Sequence, residues 1–476
     1  MYKEKYSDCL AYIDEYWDKI IFRPSKIPLN YHLKNLPLLF SPQTTRIRNK
    51  NTSPNFLPVP HYYFVPNDNK FKYIFYWDSY FMFRGLMGTK RQWLMREMVN
   101  NFIYLFNTYN IIPNFNVPAA INRSQPPFFT SMILDTYFTP LNKTNPLRYS
   151  KSPETKFYEI TNRIWLKFAI ETARREYEVV WIDKDNYYNH HVDGYTLSRY
   201  GDRDIGYAHT SELESGWDMT SRFFNRCDQF LPVDLNSYLY KYELDFAKIK
   251  KMIGDKRGEE YWINKSLIRK QEINKYMWNE KEGFYYDFRY ENKKQSDFNS
   301  LAGFTPLWAG IATPQQAEKI IKKLPLFETQ YGLTITDKES LTRPIDLSKI
   351  DPTYHSAVEE IFKPKQWDYP NIWSPLEYLT VIGLLRYKYI NLAKKIMQNS
   401  IKAHAALFRT FGTFSEKINA ETGKPSESFH YAGQEGFGWT NAIFYRYIQI
   451  LDALDADENI YIDSDKEPPY QLAILH

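Results

Sequence analysis

Three long stretches carry apolar side chains at helical spacing: RQWLMREMVNNFIYLFNTY (91–109), KFYEITNRIWLKFAIETARREYEVV (156–180) and SYLYKYELDFAKIKKMIGD (237–255). Strand-like alternation is short by comparison, and pieces such as NEKEGFYYDF (279–288) read as a turn followed by a strand. Helix following helix in this way is the cadence of an α-helical toroid, in which helix pairs succeed one another around a ring and their loops line one mouth. Two helix starts are expected from capping boxes, one at Ser374, Pro375 and Glu377, the other at Thr313, Pro314 and Gln316. Only 18 glycines and no GxGxxG or GxxxxGK[ST] element speak against a nucleotide-binding α/β fold.

A chain of 476 residues can bury a large core, and no linker rich in Gly, Ser or Pro divides it. The proline-bearing stretch 49–69 runs straight into an aromatic cluster, so residues 1–69 read as an N-terminal extension packed on a main domain of residues 70–476. The net charge of +5 comes from 61 basic and 56 acidic residues interspersed along the chain, which argues against nucleic acid as a partner. Cys9 and Cys227 are too few for a disulfide framework or a thiolate metal site. The adjacent His190 and His191 point apart on most backbones, and no HExxH is present, so no metal is expected. With no apolar leader followed by a cleavage site and no run of 18 apolar residues, the expectation is a cytoplasmic monomer that does not engage a membrane.

Four clusters repeat one mixture of Trp, carboxylate, amide and Arg: FYWDSYF (75–81), NRSQPPFF (122–129), ESGWDMTSRF (214–223) and QWDYPNIWSP (366–375); a fifth runs from 414 to 442. Such groups suit a sugar, whose C–H face stacks on aromatics while its hydroxyls demand many directed hydrogen bonds. Taken singly, each has a second reading: Asp78 fits a helix cap, Trp77 and Trp217 fit core positions, and Arg222 would pair with any acid. Their recurrence at loop-to-helix junctions favours a carbohydrate site, because binding residues concentrate on loops held by a rigid scaffold.

In order, from about residue 70 to 442, YWDSYF, RSQPPFF, ESGWDMTSR, QWDYPNIWSP and the pairing of EK with a later QEGFGWTN resemble the hallmark motifs of the trehalase family of glycoside hydrolases. The resemblance implies an all-α fold, an (α/α)6 barrel with short β-hairpins in its loops, as the catalytic domain over residues 70–476. It further implies inverting hydrolysis of a disaccharide, trehalose, with no metal or cofactor. By motif position Asp218 falls where the family keeps its general acid and Glu416 where it keeps its general base. Inversion needs such a pair, roughly 6.5–9.5 Å apart, so that a water fits between one carboxylate and the sugar. The acid must hold its proton near neutrality, which asks for apolar neighbours such as Trp217 or a second carboxylate nearby. Glu421, Glu427 and Glu435 lie close to Glu416 in sequence, and Glu435 is the strongest rival on sequence alone.

Trp77, Asp78, Asn114, Arg123, Gln125, Trp367 and Asp368 match positions that form the family's sugar pocket, and Lys70, Phe71, Gly216 and His430 are expected beside them. Trp373 is expected to pack beneath Trp367, with Pro370 and Pro375 stiffening the loop. Either Arg199 or Arg203 is expected to supply a third arginine. Two departures concern the enclosure of the substrate: Lys70 stands where the family has Arg, and AETGKPSESFHYAG replaces a glycine-rich lid, with His430 in place of its Glu. Lysine offers a point charge where arginine offers a planar fork. The same barrel in glucosylglycerate and mannosylglycerate hydrolases makes an anionic glycoside the alternative substrate, and a non-catalytic sugar-binding relative a third reading.

Overall fold

The computed structural model describes residues 1–25, 56–139, 153–203, 208–342, 364–427 and 433–457. Its main helices are α1 (Ser7–Ile20), α2 (Tyr76–Leu86), α3 (Trp93–Tyr109), α4 (Phe129–Phe138), α5 (Pro153–Glu176), α6 (Val233–Met252), α7 (Lys256–Tyr276), α8 (Thr305–Ala309), α9 (Pro314–Ile320), α10 (Ser374–Arg386), α11 (Ile390–Phe411) and α12 (Gly438–Asp455). The even-numbered helices form a closed inner ring, each touching the next and α12 returning to α2. Of the odd-numbered helices, α3 and α5 pack outside α4, α7 outside α6, α11 outside α10 and α12, and α1 against α12. The protein is an (α/α)6 barrel.

Burial differs between the two rings. The outer α11 buries Ala393, Ile396, Met397, Ser400, Ile401, His404 and Leu407, a stripe at three- and four-residue steps, while α7 buries Trp262, Ser266, Arg269 and Ile273. Inner helices have no solvent face: every residue of α2 and of α8 is buried. They also approach closely, since a Cβ on Gly85 of α2 would lie 2.7 Å from Ala442 Cα of α12. Some charges in this interior are paired. Arg84 of α2 meets Asp135 of α4, and Arg222 forms a fork with Asp234 of α6 and Asp287 at 2.7–2.9 Å.

The stretch 279–288 is a turn between paired strands Trp278–Asn279 and Phe284–Tyr285, as expected. Helix α9 has its capping box, Thr313 N donating to Gln316 Oε1 at 2.8 Å and Gln316 N to Thr313 Oγ1 at 3.1 Å. The box at Ser374 does not form: α10 starts there without a side-chain cap, and Glu377 instead accepts the Leu333 N–H at 2.8 Å. A neighbouring loop that needs an acceptor has overridden the local signal. At the N-terminus, Trp17 of α1 packs edge-on against Phe64 at 5.5 Å, and residues 1–25 share one apolar core with the barrel.

Candidate active site

The N-terminal ends of five inner helices and the loops before them enclose a cavity of about 470 Å³, within the range of about 300–1,000 Å³ usual for small-molecule sites. Lys70, Phe71, Phe75, Trp77 and Asp78 come from the approach to α2 and its first turn; Asn114, Phe115, Arg123 and Gln125 precede α4. Leu213, Gly216 and Asp218 precede α6, Trp367 and Trp373 precede α10, and Glu416, Phe437 and Trp439 flank the start of α12. Among the described residues, α8 and its preceding turn contribute nothing to this wall.

Several lining groups are tied by hydrogen bonds to other segments of the mouth. Gln125 Oε1 accepts the Trp77 N–H at 3.1 Å, and Asn114 Nδ2 donates to Ser124 O at 2.9 Å and Leu213 O at 3.2 Å. Gly216 has φ +75°, and a Cβ there would lie 2.7 Å from the Trp77 ring, so both backbone and space demand glycine. Trp367 and Trp373 stack at 4.1 Å with their planes 4° apart, and Trp77 and Trp439 close the aromatic corner at 5.6 and 5.7 Å.

The two loops with candidate catalytic carboxylates are built differently. Behind Asp218, the Thr220 N–H donates to Glu212 at 2.6 Å, while Asp368 accepts from Thr220 Oγ1 at 2.8 Å and from Ser221 N and Oγ at 3.0 and 2.7 Å. Trp367 N donates to Met219 O at 3.0 Å, joining the two loops. Glu416 sits at a bend just after the antiparallel Ser415–Glu435 bridge, its N–H donating to Gln434 O at 2.9 Å, and the following strand Ile418–Asn419 pairs with Asn371–Ile372. The buried Lys417 ammonium lies 3.3 Å from Glu416 Oε2 and over the Trp373 ring at 4.7 Å.

Burial pushes the Asp218 carboxyl up to about 7; the charges of Glu212 and Glu416 add to this, and its own N–H and Arg123 oppose it. Asp78 is raised well above the carboxylate range, first by burial and then by Asp218 and Glu416. Burial lowers the Lys417 ammonium, against the pull of Glu416. Among the described residues no group of three or more His, Cys, Asp or Glu is arranged to hold a metal ion.

Not every residue picked out by motif lies in the cavity. Asp368 is fully buried one layer behind it, because the donors of Thr220 and Ser221 require its oxygens. Arg199 is turned away and donates to Asn189 O, Asp228 O and Tyr290 Oη; Arg203 stacks on Tyr187 and Tyr188. Neither lines the cavity, so the expected third arginine has no representative in its wall among the described residues, where the cationic side chains are Lys70 and Arg123. His430 lies outside the described residues. Glu421, Glu427 and Glu435 are exposed and do not line the cavity. Phe437 and Trp439 were not singled out, although FGW stands at the start of α12 as FYW stands at the start of α2.

A family model described as Trehalase matches residues 37–452. The chain belongs to the trehalase family. Curated members similar to it include the cytosolic neutral trehalases of Kluyveromyces lactis, 30% identical over 446 residues (80% of this chain, 55% of that one), and Saccharomyces cerevisiae, 29% identical over 502 residues (91% and 63%). The periplasmic trehalase of Xanthomonas oryzae pv. oryzae is 30% identical over 427 residues, 83% of this chain and 70% of that one. The chain thus spans only 55 and 63% of the length of the two yeast trehalases. Among solved structures, the neutral trehalase Nth1 from Saccharomyces cerevisiae superposes with a TM-score of 0.66 at 26% identity, over 87% of this chain and 78% of that one. A mannosylglycerate hydrolase from Thermus thermophilus shares the fold, with a TM-score of 0.58 at 16% identity over 80% of this chain and 95% of that one. Trehalase-family membership therefore rests on sequence as well as on barrel shape.

Proposed function

We propose that this trehalase-family barrel hydrolyses α,α-trehalose to two glucose molecules with inversion at one anomeric carbon. The observation that carries the reading is the unequal setting of two carboxylates in one aromatic cavity: Asp218 is raised to about 7, and Glu416 has an ammonium 3.3 Å away. Asp218, a substantial fraction of which keeps its proton at neutrality, gives that proton to the glycosidic oxygen as the C–O bond breaks. Glu416, ionised, takes a proton from the water that attacks the anomeric carbon from the opposite face. One glucose leaves as the β-anomer and the other keeps its α configuration. Trp77 and Trp367 offer faces for the sugar rings, and Asp78, Asn114, Arg123 and Gln125 supply hydrogen-bonding groups for the hydroxyls.

We further propose a cytosolic monomer, in keeping with the cytosolic relatives named above and with two buried, unpaired cysteines. Lys70 in the wall favours one second reading, hydrolysis of a glycoside with an anionic aglycone such as glucosylglycerate or mannosylglycerate. Proton NMR of the anomeric signals decides between them. β-Glucose appearing with α-glucose from trehalose in the first minutes supports the proposal; release only from the glycerate glycosides moves the function to the second reading. Silence on all three leaves a sugar-binding protein.

A further inference from the structure

Behind Asp218, outside the cavity wall, stands a second carboxylate that the mechanism above does not use. Glu212 lies in the last turn of the short helix Ala208–Glu214, is 1% exposed, and accepts the Thr220 N–H at 2.6 Å, two residues beyond Asp218. A main-chain N–H and Lys365 stabilise its charge, while Asp368 and Cys227 are the other titratable groups near it. Asp218 in turn faces Asp78 of α2, Arg123 of the loop before α4, and Glu416 and Lys417 of the loop before α12. Among these, Glu212 contributes the largest single charge effect on Asp218.

We propose that Glu212 is a positioning residue for Asp218: its buried carboxylate clamps the loop that presents Asp218 and, by its negative charge, sets the pH above which Asp218 surrenders its proton. The assignment rests on the reading of Asp218 as the general acid. Burial raises Glu212 itself to about 7, so the two carboxyls release their protons as an interacting pair. Once one is ionised, its charge holds the proton on the other. A neutral residue at position 212 leaves Asp218 to titrate without that charge.

The test is Glu212→Gln, which keeps an oxygen for the Thr220 N–H and removes the charge. The alkaline limb of kcat/KM on trehalose should move down by about one pH unit, with a near-normal rate on the acid side, and Glu212→Asp should restore it. An unchanged alkaline limb in a folded Glu212→Gln protein, or a Glu212→Asp limb displaced as far as that of Glu212→Gln, overturns the proposal. Should trehalose not be a substrate, [4-13C]aspartate NMR follows Asp218 directly, its signal assigned by its loss in Asp218→Asn. A lower midpoint in Glu212→Gln upholds the charge effect without any turnover. Should Glu212→Gln fail to fold, the wild-type titration still decides: an Asp218 midpoint in the ordinary carboxylate range overturns the proposal, and one near 7 with a second inflection from its partner sustains it.

Discussion

The loop that presents Asp218 and the loop that presents Glu416 face each other across one cavity, yet they are backed by opposite charge. Behind Asp218 lie Glu212 and Asp368, whose oxygens take up the N–H and hydroxyl groups of Thr220 and Ser221; beside Glu416 lies the Lys417 ammonium. Negative charge behind one carboxyl favours its protonated form, and positive charge beside the other favours its ionised form. Under the proposed mechanism two chemically similar groups would take different duties from what stands behind them, so replacements in the supporting layer should act mainly on opposite limbs of the pH profile.

The largest effects should come from the facing groups themselves. Asp218→Asn and Glu416→Gln should each lower kcat on trehalose by about 10²–10⁴-fold with the fold intact by circular dichroism; an active Glu416→Gln beside a dead Glu435→Gln would reassign the base. Next comes Trp367→Ala. Because Trp367 is 2% exposed and stacked on Trp373 as well as lining the cavity, it should lose both sugar affinity and about 3–5 kcal/mol of stability, read by calorimetry and denaturant unfolding. Lys417→Met should move the acidic limb of kcat/KM upward by about one pH unit and the alkaline limb by less, because Asp218 also faces Lys417; equal movement of both limbs would erase the contrast between the loops.

The smallest effect concerns stability. Asp218 has its folded value raised to about 7, against about 3.9 in an unfolded chain. The folded state therefore binds more protons than the unfolded state between those values, and stability falls as pH rises through that window. Asp218→Asn should accordingly melt a few degrees higher than wild type at pH 8 and show little difference at pH 4. A variant that melts lower at pH 8 would deny that burial of this carboxyl is costly.

Of the three stretches read as helical, 91–109 and 156–180 fall on the outer α3 and α5 and 237–255 on the inner α6, so length and apolar spacing were legible in both rings; the inner α8, five residues long and wholly buried, carries no period. The site was legible through motifs at the starts of inner helices, which brought Trp77, Asp78, Arg123, Gln125, Asp218, Trp367 and Glu416 to one cavity. What spacing could not supply was depth and direction. Asp368 and Trp367 are adjacent, yet one turns back to satisfy buried donors while the other faces the cavity. Arg199 precedes ESGWD at a plausible distance, but the carbonyls of Asn189 and Asp228 draw it elsewhere. Partners distant in sequence made both choices, as Leu333 did in taking Glu377 from its expected cap.

The ring closes where α12 returns to α2, with α1 packed against α12 and the Tyr2 N–H just before α1 donating to Asp452 at 2.6 Å across 450 positions of chain. At about 5–20 residues per second, a ribosome takes roughly 20 to 90 seconds to deliver the second partner after the first. Until then the apolar side of α1, with Ile13, Tyr16, Trp17 and Ile20, lacks the helix that completes its cover. A segment synthesised earlier waits for one synthesised later, which makes completion of the circle a late event in biogenesis.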